Sequence, residues 1–291
     1  MFESTLTVKI WDVQHGSAAF MKTPNGTTIA QDLGDGSFQT GSKKFNPFSP
    51  FNYLKNEYGI DRLDWAIITH PHRDHIDDIL NFDILDPREL SRPKNFDEEA
   101  IITAAEEEDK EKFVKYFKID KKYSKTVSDD EDPRLPENNG GADIQLFFPQ
   151  IDDFSDRNNR SIVTIVTYAG NKVILPGDNE EKSWRALLAD DKFKKAIKGT
   201  GIFVAAHHGR ESGFCREIFD YFKPKLTIIS DGRRKETDAA DKYRAVTAGF
   251  KVYHSASREY EYRQVLSTRN DKRIDIELGN QFEAGIAVTI A

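Results

Sequence analysis

The chain has 291 residues, enough for one large domain or two ordinary ones, and its 38% hydrophobic and 11% aromatic content suffices for a packed core. A net charge of −7 argues against a surface broadly adapted to nucleic-acid phosphates and leaves room only for a local basic cleft. The opening MFESTLTVKIWDV lacks a basic stretch before a long apolar one, no window suits a bilayer, and Cys215 is the single cysteine, so a cytoplasmic protein without internal disulfides or membrane spans is expected.

LTVKIWDV and SAAFMKT read as strands, and Asn25-Gly26 as a tight hairpin turn into TTIAQDL. Ser49 to Tyr58 reads as a helix, with a serine cap, Pro50 in the first turn and Gly59 closing it. Leu63 to Thr69 (LDWAIIT) is a short apolar run typical of a buried strand, after which Asp74 and His75 open a helix, HIDDILNF. From about Arg92 to Asn139 the charge-rich EEEDKEK and SDDEDPRLPENNGG predict a surface helix and a mobile loop, a peripheral insertion at about 92–139. Strand character returns in ADIQLFF, SIVTIVTYA and KVILPGD, with a hairpin turn at Gly170-Asn171. A helix from Glu180 through Lys198 precedes the strand GIFVAA, which ends in His207-His208-Gly209; a helix around Ser212 to Phe222 carries Cys215, and LTIISD is a further strand. Strands cluster in each half with helices between them, so the simplest architecture is a single α/β (α+β) domain over 1–291, two sheets face to face with helices outside.

THPHRDH sets three histidines and a carboxylate within six residues, His70 to His75, at the end of a predicted strand. Pro71 disfavours helical angles at His70, so His70 and His72 lie on extended chain and project to one side, able to clasp one ion. A turn then aims Asp74 and His75 at a second ion, two-metal hydrolases using a separation of roughly 3.5–4 Å. Imidazole and carboxylate together suit zinc, manganese or iron. In LPGD, Leu175 to Asp178, another strand runs into a glycine turn and an acid able to bridge two metals, and His207-His208 follows the next buried strand.

DVQHGSA, QDLGDG, THPHRDHIDD, NNRSIVTIVTYAGNKVILPGD and VAAHHGRESG, in this order over roughly Leu6 to Asp231, resemble the metallo-β-lactamase superfamily, and most of all its branch that includes the hydrolase domain of bacterial DNA-uptake competence channels. That resemblance implies a four-layer αβ/βα sandwich with two divalent metal ions, zinc or manganese, at one edge between the sheets. His70 and His72 would hold the first ion, Asp74 and His75 the second, Asp178 would bridge them, and His207 or His208 would complete the second site. Typical two-zinc members carry one more histidine between these motifs, whereas no histidine occurs here from Ile76 to Ala206. Asn158, Asn159 and Ser161 resemble the Asn/Ser segment found there in the competence-like branch, which implies weaker oxygen ligands and favours manganese or a loosely held zinc. Ser17 stands where the family often has an acid, and the family's late Tyr-Gly-His segment is not recognisable around His254. His15 reads either as a contact to a metal-bound substrate or as a structural histidine.

Two adjacent cations would generate a metal-activated hydroxide near neutral pH, with Asp74 as the catalytic residue that orients it. Arg73, Arg160 and Arg210 flank the motifs and suit either phosphate or a surface salt bridge; His15, Asn159 and Arg210 are the candidate substrate-binding residues. The expected function is a metal-dependent hydrolase, a phosphodiesterase or nuclease acting on nucleic acid or a nucleotide. The alternatives are hydrolysis of a carboxylic ester, lactone or amide, and a catalytically weakened metal-binding regulatory protein. No pattern in the sequence specifies an oligomer.

Overall fold

The structure is a computed structural model that describes residues 4–36, 48–125, 127–232 and 238–291. Five strands come first: β1 (Leu6–Ile10), β2 (Ala19–Lys22), β3 (Thr28–Gln31), β4 (Trp65–Ile67) and β5 (Glu89–Ser91). Next are β6 (Asp143–Phe147), β7 (Val163–Tyr168), β8 (Asn171–Leu175), β9 (Ile202–Val204) and β10 (Leu226–Ile229), then β11 (Phe250–His254), β12 (Glu259–Arg263), β13 (Val265–Ser267), β14 (Ile274–Leu278) and β15 (Ile286–Ile290). They form two sheets, β12-β11-β15-β14-β1-β2-β3-β4-β5 and β13-β10-β9-β8-β7-β6.

Strand alternation builds the layers. Leu6, Val8 and Ile10 of β1 meet Val173 and Leu175 of β8 and Ile202 of β9 in a core between the sheets. The intervening side chains face outward into two further apolar clusters: Phe20, Ala30 and Ala66 pack on helices of the first half, and Ile165, Ile174 and Phe203 pack on helices of the second. Strands buried on both faces have to be apolar throughout, which is why LDWAIIT and GIFVAA lack polar alternation. Helix, sheet, sheet, helix is the metallo-β-lactamase sandwich expected from the motifs.

On the first sheet lie α1 (Pro50–Tyr58), α2 (Arg73–Ile76), α3 (Glu98–Ala104) and α4 (Lys110–Lys122). Helix α1 begins and ends as its sequence signals: Ser49 Oγ accepts from the Asn52 N–H, and Gly59 takes left-handed angles at the C-cap. The second sheet carries α5 (Glu181–Leu188), α6 (Asp191–Ile197) and α7 (Ala240–Val246). No helix among the described residues is long and apolar enough to cross a membrane.

Several local expectations need correction. The predicted Asn25-Gly26 tight turn is a longer loop, because Lys22 pairs with Thr28 and the Gly26 N–H bonds the Thr23 carbonyl around Pro24. At the second hairpin Tyr168 pairs with Asn171, so Ala169-Gly170, both at positive φ, make the turn one residue earlier than expected. Glu180–Lys198 is two helices, since the Asp190 side chain accepts from the Lys192 N–H and starts α6 afresh. HIDDILNF follows the single turn of α2 as a 3-10 helix, Asp77–Ile84, and 212–222 holds only short 3-10 turns, Glu211–Gly213 and Arg216–Asp220, so Cys215 is not a helical thiol. Among the described residues of 92–139 there are two α-helices, α3 and α4, rather than one, and Phe113, Tyr116, Phe117 and Ile119 of α4 are buried in the outer cluster of the first sheet.

Candidate metal centre

The chain ends of β1, β3, β4, β8, β9 and β10 run toward one edge of the sandwich, and the motif residues follow them there. His70 lies just past β4, Asp178 past β8, and His207 and His208 past β9. Glycine permits the close approach. A Cβ on Gly177 would sit 2.8 Å from the Thr69 Cβ, and one on Gly16 would sit 2.6 Å from the Asp74 carbonyl oxygen, so neither contact tolerates a side chain.

Two groups of donors result, and both include Asp178: Asp74, His75, Asp178 and His208 in one, and His70, His72 and Asp178 in the other. In the first group the His75 Nε2 lies 3.1 Å from Asp178 Oδ1 and 3.3 Å from His208 Nε2, and His208 Nε2 lies 3.1 Å from Asp74 Oδ2. In the second, His70 Nε2 and His72 Nδ1 are 2.9 Å apart and His70 Nε2 is 3.8 Å from Asp178 Oδ2, the two imidazoles converging from an extended segment.

The outward nitrogens are held. His75 Nδ1 donates to Asp32 Oδ2 at 2.8 Å, and His208 Nδ1 donates to the Ser230 carbonyl at 3.0 Å, which keeps a proton on Nδ1 and turns Nε2 inward. His70 Nδ1 lies 3.1 Å from Ser161 Oγ, which also accepts from the Asp178 N–H, so one hydroxyl ties two of the strand ends together. Asp32 is fully buried at φ +58 and also accepts from the Thr69 N–H and Oγ1. Its role escaped the sequence reading, although QDLGDG shows the same signal as LPGD, an acid directly after a buried strand.

Charge follows the same geometry. Burial and neighbouring imidazoles hold His70 well below its usual range, and burial with the Arg157 charge brings His72 down to about 4, so both are neutral at pH 7. Burial also disfavours charge on His75 and His208, but Asp178 with Asp32 and Asp74 overrides it and holds His75 well above its ordinary value, while Asp178 and Asp74 push His208 up to about 10. Burial raises the carboxyls of Asp74 and Asp178, yet His75 and His208 keep both well below the usual range. Two buried carboxylates demand positive charge, supplied by imidazolium protons or by a cation. Neutral imidazoles and carboxylates around a shared acid fit divalent transition metals.

The other predicted residues divide. His207 and His208 both adopt left-handed angles, φ 50 and φ 54: His208 joins the ligand cluster, whereas His207 lies beside it, its Nε2 3.8 Å from Asp178 Oδ2 and its Nδ1 3.0 Å from Glu180 Oε1 and from Ser212 Oγ. His15 Nε2 is 3.4 Å from Asp74 Oδ2 and its ring packs 4.5 Å from that of His208. Asn159 is buried and spends its amide on Asp156, Glu180 and the Ser183 N–H, reaching the centre through Glu180. Arg210 Nη1 is 3.1 Å from His207 Nε2. Arg73 instead pairs with Asp77 and Asp109, and Arg160 lies between the Phe96 and Phe154 rings.

No sequence-family profile matches the chain. It is 26% identical over 245 residues to ComE operon protein 3 of Bacillus subtilis (strain 168), an alignment covering 78% of this chain and 28% of that protein, so the chain spans less than a third of that relative. Among solved structures, CmlA, a diiron β-hydroxylase from Streptomyces venezuelae, superposes with a TM-score of 0.50 at 13% identity over 96% of this chain and 55% of that one. A diphosphatase of the PhnP family aligns over 94% of this chain and 99% of its own length with a TM-score of 0.45 and 13% identity. The chain thus has the fold of the metallo-β-lactamase sandwich that its motifs implied, and in sequence it is similar to the competence-operon protein.

Proposed function

We propose that the chain is a metal-dependent hydrolase that cleaves phosphodiester bonds, a phosphodiesterase or nuclease, with two divalent ions, zinc or manganese, as cofactors. His70, His72 and Asp178 hold one ion; Asp74, His75, Asp178 and His208 hold the other. What carries the proposal is the sharing of Asp178 between two donor groups in which the outward nitrogens of His75, His208 and His70 are already engaged. The His70–His72–Asp178 group has three protein ligands and the other group four, so the former is the open one, where substrate binds.

Bound divalent ions supply Lewis acidity and lower the pKa of water. Asp74 Oδ2, which lies between His208 and His15, accepts a hydrogen bond from the attacking water and orients it. His15, beside Asp74 and His208, and Arg210, beside His207, are the substrate contacts in this reading, Arg210 donating to a phosphate oxygen. As the water oxygen bonds to phosphorus the bond to the leaving oxygen breaks, and that oxygen takes up the proton the water gives up. Likeness to the competence-operon branch and the guanidinium groups beside the motifs favour a phosphodiester of nucleic acid or nucleotide over a carboxylic ester.

Hydrolysis of bis-p-nitrophenyl phosphate and single-stranded DNA should require added manganese or zinc and stop on chelation. Chelator-resistant activity would sink the metal mechanism, and activity confined to lactones or carboxylic esters would replace the substrate class. Asp74→Ala should lower kcat, whereas Arg210→Ala should mainly raise KM for phosphodiesters.

A further inference from the structure

Arg157 sits at the rim of the His70–His72–Asp178 group and is bound quite unlike its neighbours. Its Nη1 donates to the carbonyl of Pro71, between the two histidines, at 3.1 Å. Arg73 has carboxylate partners and Arg160 has two aromatic rings and the Lys94 carbonyl; Arg157 is partly buried and, among the described residues, has no carboxylate within ion-pair distance. Its charge is nevertheless felt at the centre, helping to hold His72 neutral, and the charge of Asp74 acts on it in return. A guanidinium cannot shed its proton to escape burial, and cations bound beside it add positive charge. A bound anion would balance this charge better than the partial hydration left to it. Four of the five guanidinium N–H donors remain beyond the Pro71 bond, arranged in the planar fork that matches two oxygens of a phosphate.

We propose that Arg157 is a second anion-recognition residue of this centre beside Arg210, gripping the non-bridging oxygens of a substrate phosphate and so selecting phosphodiesters over neutral esters. The inference rests on the proposed function for the place where substrate lies, but binding tests it apart from turnover.

Inorganic phosphate titrated calorimetrically into the manganese-loaded protein should bind, and Arg157→Ala should weaken that binding at least tenfold at unchanged manganese content. Arg157→Lys, which keeps the charge but loses the fork, should fall between the two and serves for the comparison if the alanine variant does not fold. In kinetics, Arg157→Ala should raise KM for bis-p-nitrophenyl phosphate while leaving KM for p-nitrophenyl acetate unchanged, a split that a merely structural tether to Pro71 would not produce. Phosphate affinity equal in wild type and variant, or a wild type that binds no phosphate, overturns the inference. Phosphate binding through Arg157 without any phosphodiester turnover upholds it and removes the hydrolase proposal instead.

Discussion

At the scale of single residues, the centre depends on side chains that never face the substrate. Asp32 fixes the His75 tautomer and its partner Thr69 at once, so Asp32→Ala should lower metal affinity about 10–100-fold, measured by chelator competition, while leaving the fold intact. An unchanged affinity would mean the hydrogen bond does not orient the ligand. The pH dependence of the metal-free protein follows from His208. Its folded value near 10 exceeds the ordinary imidazole value of 6.5, so its contribution to stability is full below 6.5 and is lost as pH rises through about 10. Melting temperatures in chelator should therefore fall between pH 7 and 10, and bound metal, which displaces that proton, should flatten the curve. The histidine motif was legible because Pro71 and the strand before it fix where the rings point. Asp32 and Ser230 were not assigned, and Ser161 was read with Asn158 and Asn159 as weak oxygen ligands rather than as the partner of His70 Nδ1, because each acts through a contact between segments distant in sequence.

At the scale of elements, the errors share a cause: capping and turn chemistry shift boundaries that apolar patterning leaves loose. Ala169 occupies a left-handed turn position that favours glycine or asparagine, and Ala169→Gly should stabilise the protein by up to about 1 kcal/mol in denaturant titration. A loss of stability would show that the turn is not strained. The charge run of 92–139 concealed α4, whose apolar residues recur at helical spacing between lysines. Phe113 is 5% exposed, so Phe113→Ala should cost about 3 kcal/mol or more, a value no solvated surface helix would give. We propose that the peripheral part of this segment begins after α4, where Ser124 and Lys125 are exposed. Limited trypsin digestion should cut at Lys125 before any site within α4; early cuts inside the helix would contradict that boundary.

At the scale of the whole molecule, the two-sheet architecture was readable because strands buried on both faces are apolar throughout, and the order of the motifs along the chain matched the ends of those strands. Which of two adjacent histidines turns inward was not readable, since that depends on two successive left-handed residues after β9. The convergence of strand ends from both sheets makes Asp178 the residue on which the centre depends, and counting bound metal in purified, folded variants tests this most directly. Wild type should hold two ions per chain after loading with manganese or zinc, His72→Ala should keep one, and Asp178→Ala should lose both. A folded Asp178→Ala protein with the metal content of wild type would contradict the shared two-metal centre.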